Sequence, residues 1–292
     1  CQARSTKQQA RIDRFEDMKE ASKQARARFD KQLMDMNSVS SRLGRKTVEL
    51  HNICKSFGGR TIIDDFTYIF LRDDRIGIVG DNGCGKSTLM KIIAGQLEPD
   101  SGSVEVGETV RIGYFMQENE PLDDSLTVLE FVRSIGEYVT TADGKATASQ
   151  MCEKFLFTPK QQWTPISKLS GGEKRRLYLL SVLMSAPNVL ILDEPEDNLH
   201  PGAIRSLMKI ISELAKKGVQ IFITTHSYFV LKQLHIEARS NEMDIMCCSL
   251  NRNDKGTIDT FFGNLKKSLP DNSIINESMA MYDEDIDLDM KM

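Results

Sequence analysis

The segment Gly80-Asp81-Asn82-Gly83-Cys84-Gly85-Lys86-Ser87 decides the fold of this chain. It follows the apolar run RIGIVG and opens the stretch KSTLMKIIAG, whose apolar residues recur at helical spacing. A strand, a glycine-rich turn and a helix in this order are the setting that the pattern GxxxxGK[ST] requires. Glycines let backbone N–H groups surround a phosphate, and the helix N-terminus adds a favourable dipole. The sequence therefore predicts a nucleotide phosphate site, in which Lys86 reaches the β- and γ-phosphates and Ser87 ligates Mg²⁺. The expected nucleotide contacts in this loop are Asp81, Asn82, Gly83, Cys84, Gly85, Lys86, Ser87 and Thr88.

A second run, VLIL at residues 189–192, ends in the acids Asp193 and Glu194. An uninterrupted apolar strand is typical of a sheet covered on both faces. Acids at its carboxyl end face the crevice in which α/β sheets bind ligands. Asp193 is therefore predicted to hold Mg²⁺, and Glu194 to polarise the attacking water as general base. The alternative is a pair of acids that only cap the following turn.

Strands and helices alternate after Thr47, which predicts an α/β core around a parallel sheet. Residues 219–225 (VQIFITT) indicate another buried strand, and residues 203–218 an amphipathic helix that stops at Gly218. We expect residues 126–187 to be mainly helical, with a break near 164–172.

The composition excludes several classes of protein. The chain has 292 residues, of which 40% are hydrophobic and 27% charged, and this balance is that of a globular protein. It has no run of 18 apolar residues that would span a membrane. Six cysteines without CxxC or Cys/His ligand spacing make zinc an unlikely ligand, and with no secretion signal they indicate a reducing, cytoplasmic compartment. Because the chain opens with Cys1, we expect it to be a fragment or a trimmed chain.

Charge is distributed unevenly along the chain. Residues 1–46 hold 12 Lys/Arg and 6 Asp/Glu, whereas the whole chain has a net charge of −4. Residues 3–37 lack Gly and Pro and favour a helix. A basic helical arm on an acidic body fits a polyanionic partner such as RNA. An ordinary solvated helix explains the same charges equally well.

The segment Leu169-Ser170-Gly171-Gly172-Glu173 precedes another helical stretch. Ser170 is a good helix N-cap, and small residues at a helix N-terminus provide a second anion-binding surface. LSGGE, between a phosphate loop and an LDE strand, resembles the signature motif of ATP-binding cassette (ABC) ATPases. The resemblance implies an α/β P-loop NTPase cassette with a mixed sheet core, a small antiparallel β part and a helical subdomain. It implies ATP and Mg²⁺ as ligands.

The same resemblance assigns further residues. Gln117 matches the glutamine that contacts Mg²⁺ and the attacking water, and His226 matches the histidine that contacts the γ-phosphate. Phe57 matches the aromatic residue that stacks on adenine, although it could equally be a core residue. In this family the signature of one cassette closes on the nucleotide of another. Ser170, Gly171 and Gly172 are therefore expected to serve a second cassette, either an upstream half of the same protein or another copy.

One branch of the family is especially similar. ARSTKQQARIDRFEDM and KLSGGEKRRLYLL resemble the linker and the second cassette of ABC-F proteins of the Uup-like kind, many of which act on the ribosome. After Pro195, LDEPEDNLHP and TTHSYFVLKQL look instead like predicted AAA-type or OLD/RecF-like ATPases. We expect either a hybrid joined near Leu192–Pro195 or a divergent natural member.

These patterns predict a basic arm at 1–46, an ATPase domain at 47–265 with a helical subdomain near 118–187, and an acidic tail at 266–292. The tail is either a short helix or disordered. The leading hypothesis is a cytoplasmic ABC-F-like ATPase that acts on the ribosome through its arm. The alternatives are a DNA-linked or defence-associated ATPase and the ATPase subunit of a transporter. Cys84, if exposed, would make nucleotide binding sensitive to alkylation; the other reading is an inert residue that fills the loop.

Overall fold

A computed structural model describes residues 43–44, 46–116, 122–141, 144–197, 199–252 and 258–289. The basic helical arm, apart from its last few residues, lies outside the described residues, and so does Gln117. In the described part the strands are β1 (Lys46–Phe57), β2 (Arg60–Leu71), β3 (Arg75–Gly80), β4 (Ser101–Val106), β5 (Ile112–Phe115), β6 (Tyr138–Thr141), β7 (Gly144–Thr147), β8 (Val189–Asp193), β9 (Gln220–Thr225), β10 (Met246–Arg252) and β11 (Ile258–Asn264). The α-helices there are α1 (Lys86–Ile93), α2 (Val128–Ile135), α3 (Ala148–Lys154), α4 (Gly171–Met184), α5 (Pro201–Lys216), α6 (Tyr228–Ser240) and α7 (Ser273–Asp289).

The centre of the fold is a sheet in the order β11-β10-β3-β9-β8-β5. Neighbouring strands from β10 to β5 are parallel, and β11 pairs antiparallel with β10 at the edge. The sheet is therefore mixed, as the resemblance implies. Parallel neighbours bring the carboxyl ends of β3, β8 and β9 to one edge, where the phosphate loop begins.

Both faces of the sheet are covered, as the apolar run in β8 predicts. Val189 and Ile191 pack into one hydrophobic cluster, with helix α1 and the strands β1 and β2. Leu190 and Leu192 pack into the other cluster, with helices α4, α5 and α6. Successive side chains of a strand point to opposite faces, so a strand between two cores must be apolar at every position.

A second, antiparallel sheet has the order β2-β1-β4 and confirms the small antiparallel β part. It packs on the central sheet through Phe70, whose ring meets that of Phe222 edge-on, with centroids 4.8 Å apart. Strand β1 ends at Phe57, so this sheet carries the predicted adenine contact to the rim of the phosphate loop.

The region between β5 and β8 is less helical than expected. It contains α2, α3, α4 and two short 3₁₀ turns, but also the hairpin β6–β7. The hairpin agrees with the composition of YVTT, in which Val139, Thr140 and Thr141 are β-branched. Thr127, Thr147 and Ser170 each begin a helix with a capping box.

The chain after residue 265 differs from a simple acidic tail. Helix α7 occupies Ser273–Asp289, which agrees with the helical alternative. Asn272 and Ile275 are buried, and the Asn272 side chain accepts a hydrogen bond from the Ile275 N–H. The Ser273 hydroxyl donates to the Asp81 carboxylate at 2.9 Å, so the start of α7 contacts the phosphate loop.

None of the helices in the described part of the chain combines the length and apolarity that crossing a membrane requires.

Candidate functional site

The phosphate loop connects β3 to α1 and has the backbone that its glycines permit. Gly83 has φ 77° and Gly85 has φ 98°, and both values lie in the region that favours glycine. A Cβ atom on Gly85 would lie 2.7 Å from Cγ2 of Ile62, so the position also excludes side chains by contact. The loop opens into a cavity of about 430 Å³, whose lining includes Phe57, Asn82 and Thr88.

Lys86 is held at the floor of this cavity. Its side chain is 3% exposed, and its ammonium donates to the carbonyls of Gly80 at 2.8 Å and Asp81 at 3.0 Å. Its Nζ atom lies 3.2 Å from Oε1 of Glu194. The structure thus brings the predicted phosphate ligand and the predicted general base into one ion pair.

Asp193 ends β8 with both carboxylate oxygens engaged. Oδ1 accepts hydrogen bonds from the hydroxyls of Ser87 at 3.0 Å and Thr224 at 2.6 Å, and Oδ2 accepts one from Tyr114 at 3.2 Å. Burial, together with the Asp193 carboxylate, raises the pKa of Tyr114, so the phenol stays protonated and donates. The two predicted Mg²⁺ ligands, Ser87 and Asp193, are therefore neighbours.

Glu194 lies at a left-handed turn, with φ 44°, and is 4% exposed. Its N–H donates to the carbonyl and hydroxyl oxygens of Thr224, which follow from the pairing of β8 with β9. Its Oε2 lies 3.1 Å from Nδ1 of His226, directly after β9. The carboxylate is thus located between Lys86 and His226, next to the phosphate loop, where the sequence predicts the general base.

The residues after Pro195 add buried charge to the site. Glu196 is 6% exposed, and its Oε1 accepts a hydrogen bond from the Thr225 hydroxyl, while its Oε2 is buried without a hydrogen-bond partner. Burial raises the pKa of Glu196 to about 7, and the negative charge of Glu194 acts in the same direction. The sequence does not predict the burial of this acid, because the burial depends on contacts with β9.

Glu194, Asp197 and His226 also bring three possible metal-ligand atoms within 4.8 Å of one another. Carboxylates and imidazole suit divalent cations in general. The hydroxyl and carboxylate of Ser87 and Asp193 offer the all-oxygen set that Mg²⁺ prefers. The Ser87–Asp193 pair is therefore the better fit for Mg²⁺, because it adjoins the phosphate loop.

The signature segment begins α4 away from the phosphate loop. The Ser170 hydroxyl accepts the Glu173 N–H at 3.4 Å, and the Glu173 carboxylate accepts the Ser170 N–H at 2.9 Å. Ser170 and Gly171 are exposed. Among the described residues, those that line the phosphate-loop cavity do not include 170–172. The chain alone does not bring its signature to its own phosphate loop.

The structure describes two other predicted nucleotide contacts, Phe57 and Cys84. Phe57 is 50% exposed and lines the cavity, which is a position open to a stacking base and not that of a core residue. Cys84 is buried, and burial raises the pKa of its thiol, so the exposed, alkylation-sensitive thiol considered from the sequence is not found. Gln117 lies outside the described residues.

Comparisons with known proteins agree with this geometry. A family model described as ABC transporter matches residues 63–197. The chain is 44% identical over 231 residues to the Bacillus subtilis protein named uncharacterized ABC transporter ATP-binding protein YfmR, covering 79% of this chain and 36% of that protein. It is 32% identical to the ATP-binding protein Uup of Escherichia coli, covering 78% and 35% of the two chains. It is also 32% identical to the energy-dependent translational throttle protein EttA of Escherichia coli, covering 89% and 44%. The chain thus spans about a third to a half of these proteins.

Solved structures support the same fold. An ATP-binding cassette of an ABC transporter superposes with a TM-score of 0.58 at 23% identity, over 78% of this chain and 96% of that chain. A dimeric ATP-binding cassette in a post-hydrolysis state, bound to ADP and phosphate, gives a TM-score of 0.57 at 19% identity, over 75% and 99%. The separate origin expected for residues 196–292 is not shown. The alignment to YfmR covers 231 residues of this chain. This is more than the 195 residues up to Pro195, so the alignment extends beyond Pro195 whatever residue it starts from.

Proposed function

Residues 63–197 of this chain are an ABC transporter ATPase domain homologous to those of Uup and EttA, and on that premise we propose that the chain binds and hydrolyses Mg-ATP. The observation that carries the proposal is the buried Glu194 carboxylate between Lys86 and His226. Cassettes of this family bind ATP, typically with Mg²⁺. The open cavity over Gly83, Gly85 and Lys86 fits the phosphate chain, and the Ser87–Asp193 pair fits the metal.

In the proposed mechanism Lys86 exchanges its contact with Glu194 for the β- and γ-phosphates. Ser87 and Asp193 would hold Mg²⁺, which would supply charge neutralisation for the phosphates at this point. Release of Lys86 leaves the Glu194 carboxylate free to accept a proton from the attacking water. His226, already 3.1 Å from Glu194, keeps the carboxylate oriented and contacts the γ-phosphate. Phe57 stacks on the adenine.

The decisive experiment compares wild-type protein with Glu194→Gln. Removal of a general base lowers turnover by about 10²–10⁴-fold, while ATP affinity measured by calorimetry stays within a few-fold. Glu213→Gln is the control, because Glu213 pairs with Lys216 on α5. Equal turnover in Glu194→Gln and wild type would refute the assignment.

Cassettes of this family work as pairs, and we propose that Ser170, Gly171 and Gly172 close on the nucleotide of a second cassette. The separation of this segment from the chain's own phosphate loop supports the proposal. Mg-ATP should convert Glu194→Gln into a dimer, or into a complex with a different cassette added in trans, as measured by size-exclusion chromatography with light scattering. If this variant binds ATP and remains monomeric with either partner, the pairing is wrong.

A narrower proposal is that the chain is one cassette of an ABC-F protein that acts in translation. It is supported by the similarity to EttA, whose name describes a translational throttle, and by the basic composition of residues 1–46. Replacing four arm Lys/Arg residues by Gln should weaken ribosome binding and flatten its salt dependence, because each lost phosphate contact removes about 0.7–0.9 from the log–log slope. An unchanged slope contradicts the role of the arm, and DNA-stimulated hydrolysis would favour the DNA-linked alternative.

A further inference from the structure

Arg175 occupies the second turn of α4, five residues after Ser170, and is 5% exposed. Its guanidinium lies over the ring of Phe115, 4.3 Å from the centroid. Phe115 is the last residue of β5. The side chain therefore runs from the signature helix to the carboxyl edge of the central sheet.

The guanidinium holds two backbone carbonyls at that edge. One terminal nitrogen donates to Met116 at 3.1 Å, and the other donates to Glu194 at 2.9 Å. Met116 directly precedes Gln117, and Glu194 carries the predicted catalytic carboxylate. Only a planar fork with several N–H donors bonds two divergent carbonyls while it stacks on a ring.

The charge of Arg175 is matched by the segment after Pro195. The guanidinium is buried, and among the charged groups the carboxylates of Asp197 and Glu196 stabilise its charge most. An arginine keeps its charge even when buried. Hydrogen bonds from a charged donor are stronger than neutral ones. The hydrogen bond from the Arg175 guanidinium to the Glu194 carbonyl therefore fixes the backbone of the Glu194 turn.

We propose that Arg175 is a positioning residue, which ties the signature helix to the backbone of the catalytic turn at Glu194 and to Met116, directly after β5. The inference rests on the proposed function for its catalytic meaning, because Arg175 acts only through Glu194. The contacts of Arg175 should stabilise the Glu194 turn whether or not the protein hydrolyses ATP, so this part of the proposal does not depend on the proposed function.

The first experiment measures hydrogen exchange by mass spectrometry in Arg175→Met and Arg175→Lys without nucleotide. Peptides that cover residues 189–197 should exchange about tenfold faster or more in Arg175→Met, and Arg175→Lys should restore part of the protection. Arg176→Met is the matched control, because the Arg176 guanidinium lies over the Phe157 ring at 5.4 Å. Wild-type exchange at residues 189–197 in Arg175→Met overturns the inference.

The second experiment separates positioning from binding. In the same variants kcat should fall at least tenfold while KM and the calorimetric Kd for ATP remain within threefold of wild type. An equal loss of kcat in Arg175→Met and Arg176→Met contradicts the positioning role. A change in Arg175→Met that is confined to KM contradicts it as well. A wild-type protein without ATPase activity refutes the proposed function, whereas the exchange result still decides whether Arg175 holds the turn.

Discussion

Replacing Glu196 by Gln should stabilise the protein at pH 8 and leave its stability at pH 4.5 unchanged. Glutamine keeps an oxygen that accepts the Thr225 hydroxyl and fills the same volume. It cannot ionise, so it removes the cost of a buried charge. The neighbouring Glu194 carboxylate adds to that cost, and His226 and Arg175 partly offset it.

The magnitude follows from the pKa. Burial raises the pKa of Glu196 from 4.5 to about 7, so between these values the folded protein holds a proton that the unfolded chain has released. Stability therefore falls as pH rises through this window, by about 1.4 kcal/mol per pH unit. The total for the wild type is about 3 kcal/mol, all of it lost by pH 8 and all of it present below pH 4.5.

The assay is urea unfolding at pH 5, 6, 7 and 8, followed by circular dichroism. The difference in free energy of unfolding between Glu196→Gln and wild type should grow from about 1 kcal/mol at pH 5 to about 3 kcal/mol at pH 8. Glu153→Gln, at an exposed position of α3, should show no such growth. A difference that is constant with pH, or a less stable variant at pH 8, refutes the reasoning.

Three other changes test the site. Gly85→Ala places a Cβ 2.7 Å from Ile62 at φ 98°, which costs about 1–3 kcal/mol in strain, and calorimetry should show that ATP binding is lost. Phe57→Ala should weaken ATP binding about fivefold to a hundredfold, since base stacking is worth about 1–3 kcal/mol, and should leave inorganic triphosphate binding unchanged. Ser170→Ala removes the capping box of α4 and should lower the free energy of unfolding by about 1 kcal/mol, whereas Ser170→Thr should restore most of it. A wild-type ATP affinity in Gly85→Ala or Phe57→Ala contradicts the role assigned to that residue. A wild-type unfolding curve in Ser170→Ala contradicts the capping role of Ser170.

The parts of the site that could be predicted from the sequence are those formed by residues adjacent in the chain. The glycines around Lys86 indicate a backbone conformation that favours glycine, and the apolar run before Asp193 indicates that both faces of the sheet are covered. Strand, loop and helix then leave little freedom for where these groups lie. The ion pair of Lys86 with Glu194 follows once the two strands are placed in one sheet.

The remaining contacts depend on residues distant in the chain. Arg175 meets Glu194 and Met116 only after α4 has packed on β5 and β8, and no local period encodes that approach. Thr224 orients both Asp193 and the Glu194 N–H through strand pairing. The hairpin β6–β7 consists of two four-residue strands, which are too short to give a clear strand pattern in the sequence.

The left-handed backbone of Glu194 has a consequence for how this turn is retained. A residue with a Cβ at φ 44° is less favourable than glycine by about 1–2 kcal/mol, and a carboxylate there must also be desolvated. Glycine at this position would relax the backbone and remove the buried acid at once. Glycine would, however, leave the buried ammonium of Lys86 without its carboxylate partner, so the strained backbone of Glu194 is retained together with this ion pair.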